Sequence, residues 1–170
     1  DWVAVPAEVQ GDRVVLTLPL PVEPPEAVRL AAAGSSWTGT RMGVGVPHLV
    51  VPVRDLDGVD VAVVGGALAH HRRLAPQGAN VTFVAGPPDG PLRVRSFELG
   101  VEAETLCCGS GVVAAGLLHL AATGGDRLQV QPRSGDLLVV ERRGAADEAS
   151  CLLSGPARFV ADVEPRPELL

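Results

Sequence analysis

Apolar residues alternate with others at Val3, Val5, Ala7 and Val9, and again at Val14, Leu16, Leu18 and Leu20, either side of Gln10-Gly11-Asp12. Period-2 alternation about a glycine turn predicts a β-hairpin. Prolines recur from Pro19 to Pro25. They cannot continue a sheet ladder, so this stretch is expected to be a stiff connector between two structural units. Residues 26–33, stopped by Gly34, predict a short helix, and the polar residues 35–40 a loop. Residues 44–53 are β-rich, with Pro52 confining them to an edge or an end, and residues 55–58 (Asp-Leu-Asp-Gly) form a turn. Residues 61–69 predict a short helix, weakened by Gly65 and Gly66, each costing about 1 kcal/mol relative to Ala in a helix interior. Strands are expected at 80–84 and 92–99 around a turn at 86–90. Short strands follow at 128–131, 137–141, 151–154 and 159–163, with the acidic loop 144–148 as a hairpin tip.

Between these groups of strands lies the one long helical signal. Residues 112–122 are apolar apart from His119, with neither proline nor an acidic residue, and Val113, Gly116, Leu117 and Leu120 form a helical stripe. A helix apolar on nearly all sides must be enclosed on nearly all sides. The predicted class is α+β: a curved, mostly antiparallel sheet wrapped around one central apolar helix.

The residues that enter this helix carry chemistry. Glu104-Thr105-Leu106-Cys107-Cys108-Gly109-Ser110-Gly111 places a thiol and a glycine-flanked hydroxyl at the helix mouth, with Ser110 the expected N-cap. Free N–H groups and the positive end of the dipole suit a carboxylate or phosphate there. The same field is expected to lower the pKa of a thiol. Cys108 abuts the turn and is the expected reactive thiol, the first to be alkylated; Cys107 is expected to pack, and Cys151 to lie inert in a strand.

Composition narrows the class. The chain has 170 residues, 46% of them apolar, enough for one good core. A net charge of −6 without a basic cluster argues against nucleic acid and anionic membrane surfaces as partners. No apolar run is long enough to span a bilayer. Three cysteines, two of them adjacent, form no disulfide framework, which points to a reducing cytoplasm. Without CxxC, HExxH or clustered acids, no metal site is expected. The chain opens Asp1-Trp2-Val3 and contains only Met42, so either its start has been removed or it is expected to be part of a longer protein.

Taken in order, the segments resemble the C-terminal half of diaminopimelate epimerase. Gly45-Val46-Pro47-His48 is similar to the family's Gly-Asn-Pro-His, and residues 55–57 open the helix that leads to His70-His71. Asn80-Val81-Thr82-Phe83 is similar to Asn-Val-x-Phe, and residues 93–101 to its Arg-Val-Arg-Thr-aromatic-Glu-Arg-Gly-Val. Residues 104–111 resemble Glu-Thr-x-Ala-Cys-Gly-Thr-Gly, and Gly155-Pro156-Ala157 the family's C-terminal Gly-Pro-Ala. The resemblance implies two facing halves, each with a cysteine at the mouth of its central helix. One thiolate removes the α-proton of an amino acid, and the other cysteine protonates the opposite face, with no cofactor. It makes Cys108 this half's acid–base group. It assigns the α-carboxylate to Gly109, Ser110 and Gly111, a substrate contact to Asn80, and polar positions near the reacting centre to His48 and Glu98. His70, His71 and His119 are left structural.

Two departures bear on the substrate. Val46 stands where the family has Asn, and Leu99 where it has Arg. By the resemblance those positions hold the distal end of diaminopimelate, so an amino acid with a neutral, less polar side chain is expected instead. The family's Cys-Gly-Asn-Gly is absent. Residues 1–20 then read as the last hairpin of a missing N-terminal half, residues 21–160 as the C-terminal epimerase-like domain, and residues 161–170 as a terminal strand or tail. The missing half would supply the second cysteine, and an uncovered face would self-associate, a homodimer included. Two other readings use the same residues: a Cys–His hydrolase with Cys108 as nucleophile and His48 as base, and a non-catalytic domain that holds carboxylates at the helix mouth.

Overall fold

A computed structural model describes residues 4–21, 23–86, 90–144, 150–162 and 164. Most of the expected loop at 144–148 and of the turn at 86–90 lies outside the described residues. One sheet runs through the molecule, built from β1 (Ala7–Gln10), β2 (Arg13–Pro19), β3 (Glu26–Ala32), β4 (Ser35–Val44), β5 (Val46–Pro52), β6 (Asn80–Ala85), β7 (Leu92–Glu98), β8 (Ala103–Thr105), β9 (Arg127–Gln131), β10 (Leu138–Arg143) and β11 (Ser150–Pro156). The order is β1-β2-β11-β10-β9-β7-β6-β5-β4-β3, with β8 also on β7. Pairing is antiparallel except for β5 with β6 and β7 with β9. The hairpin β1–β2 joins this sheet through β2 and β11.

Two expectations are corrected at β3 and β4. Residues 26–33 are a strand and not a helix, although Glu, Ala, Arg and Leu favour helices. Strand pairing overrides that preference: Val28 and Leu30 are buried while Ala27, Arg29 and Ala31 face outward. Gly34 ends no helix. With Ala33 it makes a two-residue hairpin turn in which both have positive φ, 49° and 73°, matching the twist of the flanking strands. The expected loop at 35–40 is accordingly the start of β4. Farther on, residues 157–162 form no strand; Phe159 is 81% and Val160 92% exposed, with nothing to pair against.

Side chains alternate along each strand, so the sheet has two apolar faces. On one, Leu30, Leu49, Val51, Val81, Phe83 and Phe97 pack with a π-helical turn (Val61–Gly65) and helix α1 (Gly66–Ala69). On the other, Val50, Val94, Val130, Val140 and Leu153 pack with helix α2 (Gly109–Thr123). α2 is buried from Gly111 to Leu117 and at Leu120, and it touches β4, β5, β6, β7, β9, β10 and β11. Gly124 N–H closes it onto Leu120 O at 2.9 Å.

Candidate functional site

The N-cap of α2 is Cys108, not Ser110 as the sequence pattern suggested. Cys108 has extended backbone angles, and its carbonyl accepts the first helical bond from Val112 N–H at 2.9 Å. Ser110 therefore sits inside the first turn, its hydroxyl 3.6 Å from Cys108 Sγ. The amides of Gly109, Ser110 and Gly111 are the first-turn donors without a partner further back in the helix. Gly111 stands close to Cys108 Sγ, which a Cβ there would meet at 3.3 Å, and its amide favours the thiolate.

Strand register brings the other site residues beneath this mouth. His48 of β5 pairs with Asn80 of β6, and Val81 pairs with Phe97, which sets Asn80 beside Glu98 at the end of β7. His48, Asn80 and Glu98 share phase with Val50, Val84 and Val94 of the α2 core, so all three lie on the α2 face. Val46, two residues before His48, lies on that face too and is exposed. Leu99 contributes its backbone: its N–H donates to Asn80 Oδ1 at 2.8 Å, while its side chain packs in the other core, by Gly78.

Several supporting residues were not singled out from the sequence. Thr82 and Ser96 are buried, their hydroxyls 3.1 Å apart. A Cβ at Gly111 would stand 2.6 Å from Thr82 Oγ1 and 3.3 Å from Cys108 Sγ, so only glycine lets the helix mouth settle onto this pair. The Thr105 hydroxyl donates to Glu98 Oε1. On the opposite face Arg95 grips Glu104 through two bonds, 2.7 and 2.9 Å, and reaches the carbonyls of Leu56 and Val59; Arg133 also pairs with Glu104. Ser134 N–H donates to Leu106 O, holding the loop beside Cys107. The signal for these residues was phase: Asn80 with Thr82, and Ser96 with Glu98, are polar pairs two apart on strand faces otherwise apolar.

Electrostatics correct a second expectation. Burial pushes the Cys108 thiol up to about 11, helped by Glu98 and opposed by the Ser110 hydroxyl and the Gly111 amide. A helix N-terminus favours the thiolate by only ~0.3–1 kcal/mol, less than the ~1.4 kcal/mol of a single pH unit, so burial wins and the thiol stays protonated near neutrality. Cys107 is exposed rather than packed. Its thiol is also raised, by partial burial and then by Glu98 and Asp136. Cys151 is fully buried against α2, with its thiol up to about 11. His48 is fully buried with neither ring nitrogen bonded, and burial lowers it to about 4 against the pull of Glu98. It is a neutral imidazole with an unused donor and acceptor. No hydrogen bond joins it to Cys108, whose polar neighbours are Ser110, Gly111 and Glu98.

His70 lies apart, 2.8 Å from Glu102; His71 accepts from Arg73 N–H, and His119 is on α2. Among the described residues no three His, Cys, Asp or Glu gather to hold a metal ion, and no helix is long and apolar enough to cross a membrane. An apolar cleft lined by Leu16, Leu18, Val44 and Leu153 runs up to Gly109 and Ser110.

Comparison with known proteins gives one family. The sequence profile of diaminopimelate epimerase matches residues 40–160. A protein of Chlorobaculum tepidum named diaminopimelate epimerase is 37% identical over 156 residues, covering 91% of this chain and 59% of the relative. One of Gemmatimonas aurantiaca with the same name is 52% identical over 89 residues, covering 51% of this chain and 32% of the relative. The chain thus spans about half the length of the curated relatives it matches. In structure it is similar to a hydroxyproline epimerase of Agrobacterium vitis, solved with trans-4-hydroxy-L-proline bound, at a TM-score of 0.58 and 21% identity, covering 89% of this chain and 53% of that one.

Proposed function

We infer function from one premise: the chain belongs to the diaminopimelate epimerase family. The proposal is a cofactor-independent amino-acid epimerase or racemase in which Cys108 is one of two acid–base groups. What carries it is the placement of Cys108 Sγ against Ser110 and Gly111 at the α2 mouth, with Glu98, Asn80 and His48 on adjacent strands of the same face.

In this reading residues 21–160 are the C-terminal half, its sheet curving round α2 as the core helix, and residues 1–20 belong to the end of an N-terminal half. The substrate α-carboxylate takes the amides of Gly109, Ser110 and Gly111, where charge grows as the α-proton leaves. Glu98 faces the ammonium group, and Asn80 and neutral His48 offer hydrogen bonds. A protonated Cys108 thiol is the acid form: it delivers a proton to one face of the α-carbon after a base on the other half removes one from the opposite face. Run in reverse, Cys108 is the base. The exposed Leu106, Phe159 and Val160 are surfaces for the other half to cover. Val46, the inward turn of Leu99 and the apolar cleft beside Gly109 favour an amino acid with an uncharged side chain.

The test is α-proton exchange into D₂O by the two-half protein, across amino acids with apolar, polar and charged side chains. Cys108→Ala should reduce exchange by roughly a thousandfold, within the range of general acid–base catalysis. Unchanged exchange in that variant, or a substrate-derived acyl group on Cys108, would overturn the reading. Diaminopimelate emerging as the best substrate would overturn the side-chain assignment alone.

A further inference from the structure

We propose that Thr105 is a positioning residue that fixes the carboxylate of Glu98 against Cys108. The inference rests on the reading of Glu98 and Cys108 as parts of one site.

β8 pairs with the end of β7 so that Thr105 lies opposite Ser96, and Glu98 opposite Ala103. Thr105 and Glu98 are diagonal neighbours on the α2 face, close enough for side chains to meet. The Thr105 hydroxyl donates to Oε1 of Glu98. A hydroxyl has one proton, so this bond commits it, and a carboxylate held at one oxygen keeps its other oxygen for a second partner. Cys108 lies on that side: a Cβ at Gly111 would stand 3.3 Å from Cys108 Sγ and 2.6 Å from Thr82 Oγ1, and Thr82 meets Ser96 at 3.1 Å. Glu98 follows Ser96 by two residues on the same face of β7, so its charge bears on the thiol. Among the described residues Glu98 is the charged side chain that acts on Cys108; the remaining influences are the Ser110 hydroxyl and the Gly111 amide of α2. His48, on β5, is neutral.

Thr105 is itself held from both sides of the strand. Its neighbour Glu104 points to the opposite face, where Arg95 and Arg133 clamp a carboxylate only 10% exposed. Arg95 ties the same strand to the carbonyls of Leu56 and Val59. β8 therefore cannot slide along β7 without breaking this pair of arginine contacts, and the hydroxyl of Thr105 stays in register with Glu98. The clamp is on the apolar face and the hydroxyl on the reactive one.

The experiment follows Cys108 alone, so it does not depend on turnover. Cys108 alkylation is measured against pH by peptide-resolved mass spectrometry in the full chain and in Glu98→Gln, Thr105→Val and Thr105→Ser. Glu98 raises the thiol, so Glu98→Gln should move the pH midpoint downward. Thr105→Val keeps the β-branched shape, frees the carboxylate to turn to solvent, and should move the midpoint the same way. Below the midpoint, a shift of one pH unit makes alkylation about tenfold faster. Thr105→Ser restores the hydroxyl and should stay with the parent. If Thr105→Val folds poorly, Thr105→Ala gives the same reading, with thermal melting run alongside to separate loss of fold from loss of position. A shift in Glu98→Gln with none in the Thr105 variants overturns the positioning role and leaves the site intact. So does an equal shift in Thr105→Ser and Thr105→Val, which would show that shape and not the hydroxyl matters. No shift in Glu98→Gln overturns both the site reading and the proposal.

Discussion

The strands β5, β6 and β7 present two faces that differ in kind. Toward α1, they bury Leu49, Val51, Val81, Phe83 and Phe97, an apolar surface broken only in β7, where Arg93 and Arg95 pair with Asp57 and Glu104. Toward α2, the same strands carry Val50, Val84 and Val94 at one end, and His48, Asn80, Thr82, Ser96 and Glu98 toward the other. The first face is a packing surface. The second changes character where α2 begins, because free amides there can use polar neighbours. Buried polar groups must be bonded or they destabilise the fold. Thr82 and Ser96 satisfy each other; among the described residues the ring nitrogens of His48 have no partner.

The largest consequence for the folded chain lies with His48. Its folded pKa, about 4, is below the unfolded value of 6.5, so the unfolded chain takes up the proton first as pH falls. Stability is full above the unfolded value and falls as pH drops toward the folded one, by about 3 kcal/mol in all. His48→Asn cannot titrate and should flatten that slope in denaturant titrations between those two values. An equally steep slope in the variant would mean that the pH dependence comes from elsewhere.

Glycine-to-alanine exchanges compare the two helices. Gly111→Ala puts a methyl 2.6 Å from Thr82 Oγ1 and should destabilise by about 1–3 kcal/mol. Pairing it with Thr82→Ala should recover part of that loss. Gly66→Ala, in α1, meets the Phe97 ring at 3.4 Å, an ordinary contact. It should be neutral or gain up to about 1 kcal/mol from helix propensity. Thermal melts that rank the two variants the other way would contradict the close seating of α2.

Much of this was legible in the sequence. The run at 112–122 read as a buried helix, and the strands from Asn80 onward as short β-rich runs bounded by turns. β3 misled because its residues favour helices locally, while pairing with β4, a partner distant in neither sequence nor space, decides their state. Residues 159–162 misled because a β-like composition makes a strand only where an edge accepts it. At the site, Cys108, His48, Asn80 and Glu98 were legible as a motif. Thr82, Ser96 and Thr105 were not, since their roles follow from register across three strands. The thiol's upward shift was hidden as well, because burial is a property of the packed chain.

Alkylation gives the smallest of these effects and bears on that last point. Cys107 is exposed and Cys108 only 4% exposed, so iodoacetamide should modify Cys107 first, Cys108 more slowly and Cys151 last. This reverses the order expected from the motif alone. Cys108 labelling ahead of Cys107 near neutral pH would show that its thiolate is more accessible than the packing allows.

The central claim is that Cys108 is one of two opposed acid–base groups and that the second lies outside this chain. Inversion of an α-carbon needs a proton removed from one face and delivered to the other. Stereoinversion of an amino acid should therefore be assayed with this chain alone, then with a second epimerase half joined in cis or added in trans, with and without Cys108→Ala. The account predicts no inversion by the chain alone, inversion when the second half is supplied, and its loss in Cys108→Ala. Inversion by the isolated chain at the rate of the joined protein would contradict it.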